Sequence, residues 1–128
     1  MLMACKPRPE HLSGIASLEY TGVSAAGVEF VLKNGSPNKV NLRGEYVRHK
    51  SADPWDTQVD CRAPNGTTRY EHPVEVGADK PEIIQVSPRE EIRLLIWTDF
   101  IVVSGGARCR LRLKLEDHTI IESGEFVP

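Results

Sequence analysis

The sequence is poor in the features that mark membrane-spanning, helical and nucleic-acid-binding proteins. No apolar run approaches the roughly 20 residues that a membrane-spanning helix needs. No stretch keeps the 3.6-residue apolar period of an amphipathic helix. The 16 basic and 18 acidic side chains give a net charge of -2, whereas a dedicated nucleic-acid-binding domain usually carries a basic excess. We therefore expect a β-rich domain without a nucleic-acid partner.

The groupings that carry catalysis or bind metals are also missing. No two of the four histidines have metal-ligand spacing, and there is no Cys-x-x-Cys motif, Gly-x-Ser-x-Gly motif or phosphate-binding glycine loop. Asp53, Asp56 and Asp60 have oxygen atoms that suit calcium, but their spacing fits no known calcium loop and is typical of turns. We expect no catalytic residue, no metal and no cofactor, and hence a protein that is not an enzyme.

Residues 108–116 carry the clearest structural signal. In this stretch every second residue is apolar and each residue between them is charged. The charged residues include Arg108, Arg110, Arg112 and Lys114. A period of two is typical of a β-strand with one buried and one exposed face, because successive side chains leave opposite sides of the strand. The sequence therefore predicts a strand with a basic outer face.

Shorter stretches with the same period follow one another along the chain, separated by turn residues. A glycine within one of them, Gly44, indicates a bulge or a close backbone approach. Residues 49–57 read as the longest polar connection, and His118 lies where a turn needs left-handed backbone. We count eight or nine strands and no convincing helix, which predicts an antiparallel β-sandwich of about eight strands.

Residues 84–94 resemble a pattern of bacterial immunoglobulin-like and fibronectin-III-like domains. The pattern has two apolar positions, then Pro-Gly-Glu, then another apolar pair. Here it is carried by Ile84, Val86, Pro88, Glu90, Ile92 and Leu94, with Arg89 in the place of the glycine. The resemblance implies an immunoglobulin-like or fibronectin-III-like sandwich in residues 14–128 and no functional residue.

The three cysteines bear on the compartment. Cys5 follows Leu2-Met3-Ala4, which is similar to the end of a bacterial lipoprotein signal, although only four residues precede it. The similarity implies a lipid on Cys5. Residues 1–13, rich in proline and charge, are then an extended tether or signal remnant.

With Cys5 set aside, Cys61 and Cys109 form an even pair, as exported domains usually have. We expect them to form a disulfide that closes a loop of about 49 residues, which stabilises by roughly 4 kcal/mol on the chain-entropy model. Their Cα atoms should then lie about 4.4–6.8 Å apart. The alternative is buried thiols in a cytoplasmic protein.

Two features suggest contact surfaces. The side chains of Arg108, Arg110, Arg112 and Lys114 form a stripe and repel one another unless acidic side chains lie beside them. Glu91, Glu122 and Glu125 are the candidates on the strands expected to be neighbours. The alternative to such compensation within the chain is that the stripe binds an acidic protein partner or an anionic surface. Trp55 in its polar segment either caps one end of the sandwich or anchors a contact.

Together these observations favour a non-enzymatic accessory or binding subunit of the bacterial cell envelope. It would be a lipoprotein of the periplasm or outer membrane that takes part in a protein assembly and touches the membrane only through a lipid at Cys5. The first alternative is an inhibitor or immunity-type protein that blocks an enzyme through a loop or an exposed strand. A further alternative is a small-ligand or carbohydrate-binding module in which Trp55 or Trp97 stacks on a ring.

Overall fold

Strands dominate the part of the chain that the structure describes. The computed structural model describes residues 16–24, 27–48, 50–71, 80–96 and 107–128. Within these ranges there are ten strands and no helix. In chain order the strands are β1 (Ala16–Ser24), β2 (Gly27–Asn34), β3 (Val40–Arg48), β4 (Ser51–Pro54), β5 (Thr57–Ala63), β6 (Gly66–Glu71), β7 (Glu82–Val86), β8 (Glu91–Ile96), β9 (Arg108–Lys114) and β10 (Ile120–Glu122).

The strands form two sheets that pack face to face. One sheet has the order β1-β2-β8-β4-β3-β7 and the other has the order β10-β9-β5-β6. Apolar side chains of both sheets meet in one core, and the largest fully buried ones include Phe30, Leu32, Leu42, Ile84, Leu94, Leu111 and Leu113. Burying each such side chain stabilises the fold by about 2 kcal/mol. The predicted all-β sandwich is confirmed.

The alternation in β9 is also confirmed. Cys109, Leu111 and Leu113 are buried, whereas Arg108 and Arg110 on the opposite face are exposed. The sheet therefore has a dry side toward the core and a charged side toward solvent.

The segment predicted as the longest polar connection, residues 49–57, contains a buried strand. β4 lies inside the six-stranded sheet between β3 and β8, and all four of its residues are buried. It runs parallel to β8, with Ser51 opposite Arg93 and Ala52 opposite Leu94. The sheet departs from the predicted antiparallel pattern at this pair. A four-residue strand is too short to show a period in sequence, and its Asp-Pro dipeptide is typical of turns.

The connectivity resembles that of immunoglobulin-like domains over six strands. β1, β2 and β8 lie side by side as strands A, B and E do, and β10, β9 and β5 as strands G, F and C do. The β3–β4 hairpin is the departure, because it lies between β8 and β7, which takes the place of strand D. The six-stranded sheet therefore consists of two three-stranded halves that meet where β8 pairs with β4.

Gly44 confirms the predicted close approach within a strand. It lies opposite Pro54 in the β3–β4 pair. A Cβ at this position would overlap the carbonyl oxygen of Asp53 and lie 3.0 Å from the Cα of Pro54. The hairpin therefore needs a residue without a side chain here.

A buried asparagine fixes the turn after β2. The Asn34 side chain donates hydrogen bonds to the carbonyl oxygens of Asn38 (2.8 Å) and Val86 (2.9 Å). Its Oδ1 accepts from the backbone N–H (2.9 Å) and the hydroxyl (2.7 Å) of Ser36. Because Val86 is the last residue of β7, Asn34 ties the turn to a strand that lies 52 residues away in the chain.

Three residues other than glycine have left-handed backbone in the described part of the chain: Lys50, Arg89 and His118. His118, between β9 and β10, has φ 72°, as the sequence predicted. In the same turn the backbone N–H of Thr119 donates to Oδ1 of Asp117 at 3.0 Å, and this bond lowers the pKa of Asp117 below its ordinary value. Arg89, which stands where the resembled pattern has glycine, has φ 66°. A side chain in this conformation costs about 1 kcal/mol.

Several predicted features lie outside the described residues. They are the tail at residues 1–13 with Cys5, His49, and the strand and loop expected within residues 72–79 and 97–106. The division of the chain at residue 14 therefore stays a prediction. The described segments contain no helix with the length and apolar character that a membrane crossing requires.

Candidate protein-binding surface

The outer side of the four-stranded sheet carries an unusual density of arginine. Cross-strand neighbours share one face of a sheet, so the register places the outward side chains of β9 beside those of β5, and these beside those of β6. We call this surface the arginine face. Its cationic side chains are Arg62, Arg69, Arg108, Arg110, Arg112 and Lys114.

One glutamate serves two of these arginines. Arg62 and Arg108 lie directly opposite each other on β5 and β9. Oε2 of Glu125 lies 3.1 Å from a guanidinium nitrogen of Arg62, and its Oε1 lies 3.2 Å from one of Arg108. Both arginines remain about two-thirds exposed, and each keeps donors that Glu125 does not use.

At the centre of the arginine face lies Arg110, which has no partner among the residues that the structure describes. Asp60 lies opposite both Arg110 on β9 and Arg69 on β6. Its carboxylate accepts two hydrogen bonds from Arg69, at 2.7 and 3.3 Å, and this contact raises the pKa of Arg69 above its ordinary value. Within the described part of the chain, the Arg110 side chain has neither an ion-pair nor a hydrogen-bond partner. It is therefore available to a ligand.

The end of β9 near β10 is only partly compensated. Nε of Arg112 lies 3.1 Å from Oε2 of Glu122 but is not aligned for a hydrogen bond. Lys114 lies opposite Ile120, which gives it no carboxylate on β10. This end of the arginine face combines cationic groups with an apolar side chain that is half exposed.

The arginine face as a whole carries more positive than negative charge. Its six cationic side chains face four acidic ones, Asp60, Glu71, Glu122 and Glu125. Outward side chains two residues apart on a strand are about 6.7 Å apart. In water such a pair of like charges repels by about 0.6 kcal/mol before salt screening. The fold tolerates this cost easily, and an excess of two positive charges remains for an anionic partner.

Two of the three glutamates that were expected to compensate the charge of the arginine stripe do so, and the third does not. Glu122 and Glu125 do pair with arginines of the stripe. Glu91 does not, because β8 belongs to the other sheet and Glu91 lies opposite Lys33 there. The position of Asp60 between Arg69 and Arg110 was not predicted, because the expected Cys61–Cys109 bond brings β5 near β9 without showing that the two strands are neighbours in one sheet.

Two shallow hollows mark the arginine face and meet at Arg112. The charged lining of the first, of about 410 Å³, is Arg62, Arg108, Arg110 and Arg112 together with the carboxylates of Asp60, Glu122 and Glu125. The second, of about 450 Å³, lies at the Lys114 end. It is bordered by Trp55 and Ile120 and by charged residues of both signs, Arg69, Arg112, Lys114, Asp56 and Glu71. The structure thus brings Trp55 to the same surface as the predicted arginine stripe.

Trp55 lies at the bend where the chain passes from one sheet to the other. It follows β4 directly, and its backbone N–H donates to the carbonyl oxygen of Arg43 at 2.9 Å. The next residue, Asp56, accepts two hydrogen bonds of 2.8 Å from the Arg43 guanidinium. The Trp55 side chain is half-buried, so part of it packs against the domain and part borders the second hollow.

The structure joins Cys61 and Cys109 by a disulfide. The two residues lie opposite each other on β5 and β9, with sulfur atoms 2.12 Å and Cα atoms 4.0 Å apart. The Cα separation falls slightly below the expected range, and directly opposed residues within one sheet, at about 4.5 Å, already lie at its short end. The bond lies on the core side of the sheet, whose other side is the arginine face.

The aspartates considered for calcium are engaged elsewhere. Asp56 is held by Arg43 and Asp60 by Arg69, while Asp53 is buried within the six-stranded sheet. Across the residues that the structure describes, no three His, Cys, Asp or Glu side chains are grouped to hold a metal ion.

Comparison with known proteins adds no further assignment. No family model, no curated protein and no solved structure matches the chain.

Proposed function

We propose that this protein is a non-enzymatic binding subunit of the bacterial cell envelope that contacts another protein through the arginine face. The observation that carries the proposal is the unbalanced charge of that surface. Arg110 has no partner within the described residues, and Glu125 is divided between Arg62 and Arg108. Arginine is favoured at protein contacts because its planar guanidinium group forms bidentate hydrogen bonds with carboxylates.

The proposed compartment has separate support. Disulfides persist in exported proteins and are rare in the cytosol, and the structure pairs Cys61 with Cys109. The Leu2-Met3-Ala4-Cys5 run is similar to a lipoprotein signal, and residues 6–13 contain two prolines that suit an extended tether. A lipid at Cys5 would hold the domain at the membrane while leaving the sandwich free to dock.

Site-specific photo-cross-linking in the native host tests the contact surface. A photoreactive amino acid replaces Thr67, an exposed residue of β6 opposite Arg62. Gln85, exposed on the other sheet, is the control position. We expect one defined adduct from position 67, none of the same mass from position 85, and at least a fivefold loss of the adduct on adding Arg110→Glu. An adduct that Arg110→Glu leaves unchanged would contradict the proposal, whether or not Arg93→Glu on the other sheet removes it.

Metabolic labelling tests the anchor. Cells fed an alkyne fatty acid should incorporate the label into the native protein and not into a Cys5→Ser variant. Label that persists in Cys5→Ser, or a wild-type protein without label and in the cytoplasmic fraction, would contradict the lipoprotein assignment.

A further inference from the structure

We infer that the partner presents an extended acidic segment, with a carboxylate at every second residue and an apolar residue at one end, which lies along β9. The inference rests on the proposed function, because it takes the arginine face as the contact surface. It goes further in stating the conformation of the segment that binds, its charge pattern and the end of β9 at which its apolar residue lies.

The spacing of the arginines favours an extended partner. Arg108, Arg110 and Arg112 project from one side of a strand at intervals of about 6.7 Å. An extended peptide repeats its own side chains on one face at the same interval. Carboxylates at alternate positions can therefore meet successive arginines in register, whereas a helix presents same-face side chains at a different interval, about 5–6 Å apart.

The free donors lie where such a segment would pass. Arg110 is unpartnered within the described residues and occupies the middle of the row. On one side of it, Arg108 shares its glutamate with Arg62. On the other side, Arg112 is paired with Glu122 and only about one-third exposed, and its Nε is buried beyond the reach of a partner. The row thus offers charge-assisted hydrogen bonds mainly at Arg110 and Arg108, and at Arg112 only from the exposed part of its guanidinium.

The second hollow specifies the end of the segment. It adjoins the first hollow at Arg112 and is bordered by Trp55 and by Ile120, whose side chain is 50% exposed. An aliphatic or aromatic side chain placed there would cover exposed apolar surface, and Lys114 beside it shares the hollow with the acidic residues Asp56 and Glu71. A half-buried tryptophan with arginine nearby has the composition of an interface hot spot.

The acidic residues of the arginine face argue against a densely charged polyanion. Asp60, Glu122 and Glu125 are interspersed among the arginines, and the chain carries a net charge of -2. A polyphosphate or a nucleic acid would be repelled by these carboxylates, whereas a peptide can place neutral residues between its acids. The mixed charge pattern therefore favours a peptide.

Fluorescence anisotropy with labelled nine-residue peptides tests the inference on the full chain. The first peptide has glutamate at every second position and a terminal leucine, the second has the same composition with its glutamates contiguous, and the third replaces the leucine by serine. Inorganic polyphosphate serves as the competing polyanion. We expect the first peptide to bind at least tenfold more tightly than the second, and polyphosphate to compete poorly.

Variants of the protein distinguish binding at the arginine face from nonspecific binding to any positively charged side chain. Arg110→Ala should weaken the first peptide at least fivefold, whereas Arg93→Ala, an exposed arginine of the other sheet, should leave it unchanged. Ile120→Ser should weaken the leucine peptide and not the serine peptide. Equal binding of the alternating and contiguous peptides would overturn the inference, as would tighter binding of polyphosphate or equal effects of Arg110→Ala and Arg93→Ala.

The two proposals fail in different ways. If the cross-link at Thr67 depends on Arg110 but no alternating acidic peptide binds, the arginine face remains the contact surface and the chemistry inferred for the partner is wrong. If the cross-link does not depend on Arg110, the contact surface itself is wrong, whatever the peptides do.

Discussion

The disulfide between Cys61 and Cys109 should supply a large part of the stability of the domain. The bond links residues 48 positions apart in the chain. Closing a loop of this length removes about 14 cal/mol/K of entropy from the unfolded chain, or roughly 4 kcal/mol at 25 °C. Domains of this size are stable by only about 5–15 kcal/mol. Reduction should therefore remove between about a quarter and four-fifths of the free energy of unfolding.

Urea denaturation measures this effect. A Cys5→Ser background removes the third thiol, and unfolding is followed by far-ultraviolet circular dichroism with and without a phosphine reductant. With a slope of about 1.5 kcal/mol/M, typical for a small domain, reduction should lower the midpoint by roughly 2–3 M urea. It should also raise the slope, because the reduced chain expands further on unfolding.

The matched control is the Cys61→Ala/Cys109→Ala variant, which should resemble the reduced protein and be insensitive to reductant. Both cysteines are almost fully buried, so alanine adds a small packing loss to the loss of the bond. The reasoning would be refuted if oxidised and reduced proteins differed by less than about 1 kcal/mol. It would also be refuted if thiol titration of the purified, unreduced protein found both cysteines free.

Three further substitutions test the fold. Asn34→Ala removes four side-chain hydrogen bonds at a buried site and should lower the free energy of unfolding by about 3 kcal/mol. The control, Asn38→Ala at an exposed position, should change the free energy of unfolding by less than about 0.5 kcal/mol. Chemical denaturation measures both variants. Gly44→Ala forces a Cβ against the backbone of β4 and should lower the free energy of unfolding by about 2–3 kcal/mol. The control, Gly124→Ala, places a Cβ where no atom lies within 4 Å and should leave the stability nearly unchanged. Equal melting temperatures for the two variants would contradict the close approach at Gly44. Arg89→Gly relieves left-handed backbone at φ 66° and should raise the free energy of unfolding by about 0.5 kcal/mol, so a clear loss of stability would show that the arginine side chain stabilises the turn.

The fold class was predictable because its signals are local. The alternation in residues 108–116 fixes the strand and both of its faces within nine residues. The turns at His118 and after Asn34 show in their own sequence. β4 could not be predicted. It is buried because strands lie on both sides of it, and its own four residues show no pattern that indicates a buried strand.

The candidate surface was predictable only in part, for the same reason. Glu122 follows β9 through a short turn, so its pairing with Arg112 follows from a local hairpin. The engagement of Asp60 by Arg69 also lies within a local hairpin, β5–β6. The position of Arg110 on the other side of Asp60 depends instead on the long-range pairing of β5 with β9, which no local pattern indicates.

The short parallel pairing of β4 with β8 has a consequence for folding kinetics. It joins the two halves of the six-stranded sheet through residue pairs that are 42 positions apart in the chain. Such pairs must close a long loop before they gain any contact energy, and proteins dominated by them fold in milliseconds to seconds. The hairpins β1–β2 and β3–β4 are expected to form early, and the junction of β4 with β8 to form late. Pulsed hydrogen exchange should accordingly protect the β1–β2 amides before those that join β4 to β8.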